Sequence, residues 1–245
     1  MPRFFVTRAQ VQGDEIVIQG NDVNHIKNVL RMRPGDELSI SDGEGMDYSC
    51  TIAAIDRDEV RVNIEESMDS CVELPVKLYL FQGLPKADKM ELIIQKAVEL
   101  GVYEIIPVET KRCVVKLDDK KAKNKIARWQ GIAEAAAKQS KRGIVPQVSD
   151  VVSFAQAIKR ASDMNLKLIP YELAEGMDKS RELLAQAAPG QDIAIFIGPE
   201  GGFEEREIEA ALELGIQPIT LGKRILRTET AGLAILSWFV YRLEQ

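Results

Sequence analysis

Two hydrophobic rhythms divide this chain. Up to about residue 64 the apolar positions come in short runs. Glu37–Ser41, Tyr48–Ile52 and Val60–Ile64 alternate apolar and polar residues, and with Glu15–Ile18 they read as short β-strands. The turns Arg33-Pro34-Gly35-Asp36 and Asp42-Gly43-Glu44-Gly45 separate them, and a compact barrel or curled sheet is the expected result. One short helix interrupts the strands, with Asp22 as its N-cap and Ile26, Val29 and Leu30 on one face. The polar stretch Glu65–Pro75 breaks the rhythm and reads as a linker.

Beyond the linker, strands and helices alternate. Strands are predicted at Val76–Phe81, Tyr103–Val108, Leu166–Ile169, Ile193–Ile197 and Ile216–Leu221. Helices are predicted at Asp88–Leu100, closed by Gly101, at Phe154–Ala161, at Arg181–Ala187 and from about Thr230 to Leu243. A further helix carries the stripe Ile126, Trp129, Ile132, Ala133 and Ala136. Such alternation specifies an α/β domain, so the chain divides into a β-rich domain at 1–72 and an α/β domain at 73–245. The last helix is apolar nearly all round, which predicts a homodimer interface for the face its own core does not need.

Two glycine-bearing loops follow buried strands near the C-terminus. They are Gly198-Pro199-Glu200-Gly201-Gly202-Phe203 and the run from Leu221-Gly222-Lys223-Arg224 to Ala231. In parallel sheets ligands lie beyond the carboxyl ends of strands, where glycine lets them approach the backbone. Pro170-Tyr171-Glu172 forms a third loop on that edge. A lone Gly-Gly is a structural turn; two loops in tandem, the second carrying Arg227, Glu229 and two threonines, read as a site. Glu204, Glu205 and Glu207 open the helix after the first loop and repel a phosphate, and the spacing fits neither a dinucleotide fingerprint nor an NTP loop. The pocket suits a neutral or cationic nucleoside-like ligand, with Glu200 available to positive charge.

Charge distribution changes this picture more than its sum of −6. From Lys111 to Arg142, eleven cationic side chains face three acidic ones, a local +8 that is either a solvated helix face or the footprint of a polyanion. Cys50, Cys71 and Cys113 have no metal-ligand spacing, no signal-peptide core opens the chain, and a cytoplasmic setting is expected. The single histidine, His25, carries no assigned role.

The sequence IGPEGGF, followed by LGKRILRTETA, closely resembles the ribosomal RNA small subunit methyltransferase E family of the SPOUT superfamily. The likeness extends to RFF at Arg3–Phe5, HIKNVLRMRPGD at His25–Asp36, KADKMELIIQKAVELGV at Lys86–Val102, IIP at Ile105–Pro107 and EAAAKQSKR at Glu134–Arg142. It departs where Asn24 precedes His25 and at Lys141. The resemblance implies a PUA-like RNA-binding β-barrel, an α/β domain with a C-terminal trefoil knot, a homodimer, and S-adenosylmethionine-dependent methylation of uridine N3 in 16S rRNA near the decoding region. A non-catalytic RNA-binding or ribosome-assembly factor, or a SPOUT methyltransferase acting on another RNA, is the alternative.

By the same resemblance the cofactor rests against Gly198, Glu200, Gly201, Gly202, Leu221, Gly222, Ile225, Leu226, Thr230 and Ala231, with Tyr171 and Glu172 beside it. It has no phosphate and carries a sulfonium cation, which suits a glutamate-rich loop. Arg227 is expected to stabilise negative charge on the uracil oxygens, and Glu229 or Glu200 to accept the N3 proton; Glu229 reads equally as a first-turn residue of a helix capped by Thr228 or Thr230. RNA is expected on Arg3, Lys27, Arg31 and Arg33 of the first domain and on Arg112, Lys141 and Arg142 of the second.

Overall fold

The computed structural model describes residues 1–70, 72–171 and 176–244, so Cys71 and Glu172 lie outside the described residues. The chain forms two compact units, residues 1–73 with 137–145, and residues 74–136 with 146–245.

The first unit contains β1 (Arg3–Phe5), β2 (Val11–Gln12), β3 (Glu15–Gln19), α1 (Asn21–Asn24), β4 (Glu37–Ser41), β5 (Met46–Ile55) and β6 (Glu59–Asp69). Its six-stranded sheet has the order β1-β4-β5-β6-β3-β2, with only β1 and β4 parallel. Alternation places Ile16, Ile18, Leu38, Ile40, Ile52, Val60 and Val62 in one core. The expected linker is half strand: Glu66, Ser67, Met68 and Asp69 pair with Ser49, Tyr48, Asp47 and Met46. Backbone pairing needs no apolar side chain where both faces are solvated, so polarity alone misplaced this boundary.

The short helix also departs from expectation. Gly20, at φ 77°, is its N-cap, while Asp22 lies within the first turn and pairs with Lys138 at 2.8 Å. The chain then widens into a π turn over His25–Val29. That wider turn carries Val29 and Leu30 off the buried face of Val23 and Ile26, leaving them 62% and 40% exposed.

The second unit contains β7 (Lys77–Gly83), α2 (Lys89–Glu99), β8 (Glu104–Glu109), α3 (Asp119–Gln139), whose last turn belongs to the first unit, β9 (Gln147–Val148), β10 (Val152–Ser153) and α4 (Phe154–Arg160). It continues through β11 (Leu166–Pro170), α5 (Met177–Leu184), β12 (Asp192–Ile197), α6 (Glu205–Glu213), β13 (Gln217–Ile219) and α7 (Thr228–Leu243). All strands are parallel, in the order β10-β8-β7-β12-β11-β13, with β9 also on β8. The central strands read as unbroken apolar runs because helices cover both faces. Phe81, Ala194 and Phe196 point to the core with α4 and α6, and Phe81 stacks on Phe196 at 4.4 Å. Leu80 and Ile197 lie on the opposite face beneath Gly232 of α7, which packs on α2.

Three boundaries moved. α5 starts behind Gly176 rather than at Arg181, which buries Ser180, Leu183 and Leu184. β13 is three residues long, with Pro218 tolerated because the strand is an edge. α7 begins at Thr228 with Arg227 as N-cap, and neither threonine side chain caps it.

Candidate active site

The parallel register brings the ends of β7, β11, β12 and β13 to one edge. The chain leaves β7 toward β8 on one side, while β12 connects through α6 to β13 on the other, so this edge is a topological switch point. A cavity of about 570 Å³ opens there. That size lies within the range of about 300–1,000 Å³ usual for small-molecule sites. Its lining includes Tyr171, Gly198, Glu200, Gly201, Gly202, Leu221, Gly222, Ile225, Leu226, Arg227 and Ala231. Of the residues expected at the cofactor, Thr230 is exposed and does not line it.

The first glycine loop is folded back on itself. A Cβ on Gly198 would stand 3.1 Å from Gly202 Cα, and Gly202 has φ +66°, so only the bare backbone fits this curl. Gly83, at the end of β7, allows Pro199 to approach; a Cβ there would lie 2.7 Å from Pro199 N. Thr228 fastens the loop to α7, donating its hydroxyl to Gly198 O at 2.6 Å and accepting from Gln82 Nε2 at 2.9 Å. The loop after β8 also holds it, through Arg112 Nη1 to Gly201 O at 2.9 Å, and is itself tied to α6 by Lys111 N–H donating to Glu207 Oε1 at 2.9 Å.

Charge at the site is divided unevenly. Arg227 is exposed at the N-cap of α7, and its guanidinium has no hydrogen-bond partner among the described residues. Glu200 is not free to meet a ligand cation as its position in the sequence suggested. Its carboxylate accepts from Lys86 N–H at 3.1 Å and from Lys89 Nζ at 2.9 Å. Burial alone would raise its pKa, but these hydrogen bonds outweigh that and hold it below the ordinary glutamate value, which disfavours it as a proton acceptor. Glu229 lies in the first turn of α7. Its Oε2 is buried without a hydrogen-bond partner among the described residues, 3.5 Å from Lys89 Nζ.

The residues expected to touch RNA separate into two groups. Lys27, Arg31, Arg33 and Lys141 are exposed on the first unit, and Arg112 is exposed on the second. Arg3 and Arg142 are not available in that way. Arg3 pairs with Asp47, and Arg142, 4% exposed, pairs with Glu73, whose carboxylate also accepts from Gly143 N–H. Their charges neutralise carboxylates inside the unit.

Sequence reasoning missed Gln82, Gly83 and Lys89. A glycine ending an apolar strand was a signal for Gly83; nothing local marked Gln82 or Lys89, whose partners lie more than a hundred residues away in sequence.

Among the described residues no helix is long and apolar enough to cross a membrane. Residues 72–240 match the model of the RNA methyltransferase domain, and residues 18–65 that of the RNA methyltransferase PUA domain. The ribosomal RNA small subunit methyltransferase E of Bacillus subtilis is 41% identical over 100% of this chain and 98% of its own length. That of Mesomycoplasma hyopneumoniae is 33% identical over 97% of this chain and 98% of its own. The crystal structure of the Neisseria gonorrhoeae enzyme of the same name, bound to S-adenosyl methionine, is 35% identical, superposes with a TM-score of 0.85, and is matched over 97% of this chain and 95% of that one. The full-length likeness, together with a switch-point cavity walled by the two glycine loops, places the chain in the ribosomal RNA small subunit methyltransferase E family.

Proposed function

We propose that this protein uses S-adenosylmethionine to methylate N3 of a uridine in the 16S rRNA of the small ribosomal subunit. The observation that carries the reading is the cavity itself, walled by backbone from two glycine loops, with the Arg227 guanidinium, which has no partner among the described residues, at its rim. The lining suits the cofactor: backbone groups serve its polar atoms, Tyr171, Ile225 and Leu226 offer apolar contact, and no P-loop cradle for phosphate is present among the described residues.

Gly198, Gly201, Gly202, Leu221, Gly222, Ile225, Leu226 and Ala231 would hold the cofactor, which supplies a sulfonium-bound methyl group for displacement. The protein's own contribution is alignment first. Orienting two reactants supplies on the order of 7–11 kcal/mol, against about 10²- to 10⁴-fold for a general base. Arg227 stabilises the negative charge that uracil gains as N3 loses its proton, and Glu229, in the first turn of α7, is assigned as the acceptor of that proton.

Residues 1–72 are assigned as a PUA-like barrel that binds RNA, and residues 73–245 as the methyltransferase domain. Lys27, Arg31, Arg33, Lys141 and Arg112 are the phosphate contacts. The end of the chain is assigned a trefoil knot, as the resemblance to the SPOUT superfamily implies; α7 there packs on α2 and over β7 and β12. A homodimer through α7 follows from its partly exposed Leu233, Trp238 and Val240. The work belongs in the cytoplasm, with the ribosome.

The test is incubation with methyl-labelled S-adenosylmethionine and small subunits lacking the modification, followed by nucleoside mass spectrometry. N3-methyluridine in 16S rRNA is the expected product. Cofactor binding with label in another RNA would replace the substrate, and neither binding nor label would leave a non-catalytic RNA-binding factor.

A further inference from the structure

The segment from Asn24 to Arg33 in the first unit is shaped in ways that phosphate contact alone does not require. Its backbone leaves the α-helical ladder: Leu30 N–H donates to His25 O at 2.9 Å and Met32 N–H to Ile26 O at 3.0 Å, which makes the wide π turn. Such turns are rare and recur at functional sites. Arg31 then takes φ 54°, a left-handed conformation that costs stability in a residue with a Cβ and persists where the surroundings impose it. The surface that results is mixed. Val29 and Leu30 stand 62% and 40% exposed among the exposed cations Lys27, Arg31 and Arg33, and no acidic residue lies between His25 and Gly35. The acids that bracket the segment are engaged, Asp22 with the Lys138 ammonium and Asp36 with Arg33 N–H. The exposed ring of His25 meets buried Phe4 in a T-shaped contact, 6.1 Å between centroids. Asn28 Nδ2 donates to Asn24 Oδ1 at 2.6 Å, and the other polar atom of each of these exposed amides has no partner among the described residues.

We propose that this segment reads unpaired bases, so that the first unit recognises a single-stranded stretch of RNA rather than a duplex. The inference rests on the RNA-binding role given to residues 1–72 and deepens it by naming the form of RNA and the groups that touch its bases. A paired helix offers a protein phosphates and 2′-hydroxyls, which cations alone can meet; an imidazole ring and two exposed aliphatic side chains find contact area only on base faces that have left the stack. The π turn supplies that area. By bonding residue 30 back to residue 25, it sets the backbone of Leu30 beside that of His25, and it turns Val29 and Leu30 away from the core that Val23 and Ile26 enter. His25 and Leu30 then provide the stacking surface, while the amides of Asn24 and Asn28 offer a donor and an acceptor to a base edge. Lys27, Arg31 and Arg33 hold the phosphates on either side of the splayed bases. A protein partner suits this face less well, because its three cations carry no carboxylate among them and match a polyanion.

Fluorescence anisotropy with the full-length protein tests this without reference to turnover. Three probes are used at low ionic strength: a short fluorescein-labelled oligoribonucleotide of mixed sequence, the same strand annealed to its complement, and the same strand with abasic riboses. The single strand is expected to bind about tenfold more tightly than the other two, the scale of a base stacked on a side chain. His25→Ala and Leu30→Ser should each remove most of that preference while leaving the abasic strand and the salt slope unchanged, and His25→Phe should restore it. Val29→Ser gives the same reading if Leu30→Ser does not fold. Lys27→Ala should instead weaken all three probes and lower the salt slope by about one. Equal affinity for the three probes, or a preference that survives both His25→Ala and Leu30→Ser, would overturn the proposal and leave the phosphate contacts standing. A change of sedimentation in Leu30→Ser, with RNA affinity intact, would give this face to a second copy of the chain and also overturn it. Failure to bind any of the three probes would remove the RNA-binding role of the first unit itself.

Discussion

At the scale of residues, identical chemistry has been put to opposite uses. Arg227 and Arg142 are both arginines near glycine-bearing segments, yet one guanidinium is exposed without a partner among the described residues and the other is buried on Glu73. Arg227→Ala is therefore expected to lower kcat about 10²- to 10³-fold, as loss of a transition-state donor does, while cofactor affinity by calorimetry stays near wild type. Arg142→Ala should act on stability, because it strands a carboxylate in a largely buried pair; a loss of about 3 kcal/mol in urea denaturation is expected. Unchanged stability together with a reduced salt slope for RNA binding would return Arg142 to the RNA surface. No local pattern distinguishes these two arginines, since the difference lies in Glu73, sixty-nine positions away.

At the scale of elements, the site depends on how α7 is joined to the loop after β12. Thr228 makes that joint from the first residue of the helix, between buried Gln82 and the carbonyl of Gly198. Thr228→Val keeps the shape and removes both hydrogen bonds. The expected cost is about 1–3 kcal/mol in denaturant unfolding, since the Gly198 carbonyl and one Gln82 proton lose their partner. A fall in kcat should accompany it, because Arg227 immediately precedes the loosened residue; wild-type turnover would show that the glycine loop needs no such anchor. Most elements of the second unit were legible in the sequence, because a parallel sheet covered on both faces writes itself as apolar runs between amphipathic helices. The π turn at His25–Val29 and the polar half of β6 were not, since neither depends on a hydrophobic period.

At the scale of the whole molecule, the composition of α7 carries a consequence for assembly. Its interior face is Gly232, Ile235, Leu236 and Phe239, while Trp238 remains partly exposed and Tyr241 is 81% exposed. If that outer face is the homodimer interface, Tyr241→Asp and Trp238→Asp should each shift sedimentation from dimer toward monomer without unfolding the subunit. A wild-type monomer at all concentrations would remove the interface.

The sequence by itself determined the α/β class of the larger unit, the two glycine loops that wall the cavity, and the family. These features are local: a period of hydrophobicity, a pair of glycines, a run of motif residues. Tertiary structure decided which charges remain available. It neutralised Arg3 and Arg142, bound Glu200 and Glu229 to Lys89, and brought Gln82 to Thr228. The reason is physical: a charge or polar group takes its role from the partners that folding brings to it, and those partners are remote in sequence.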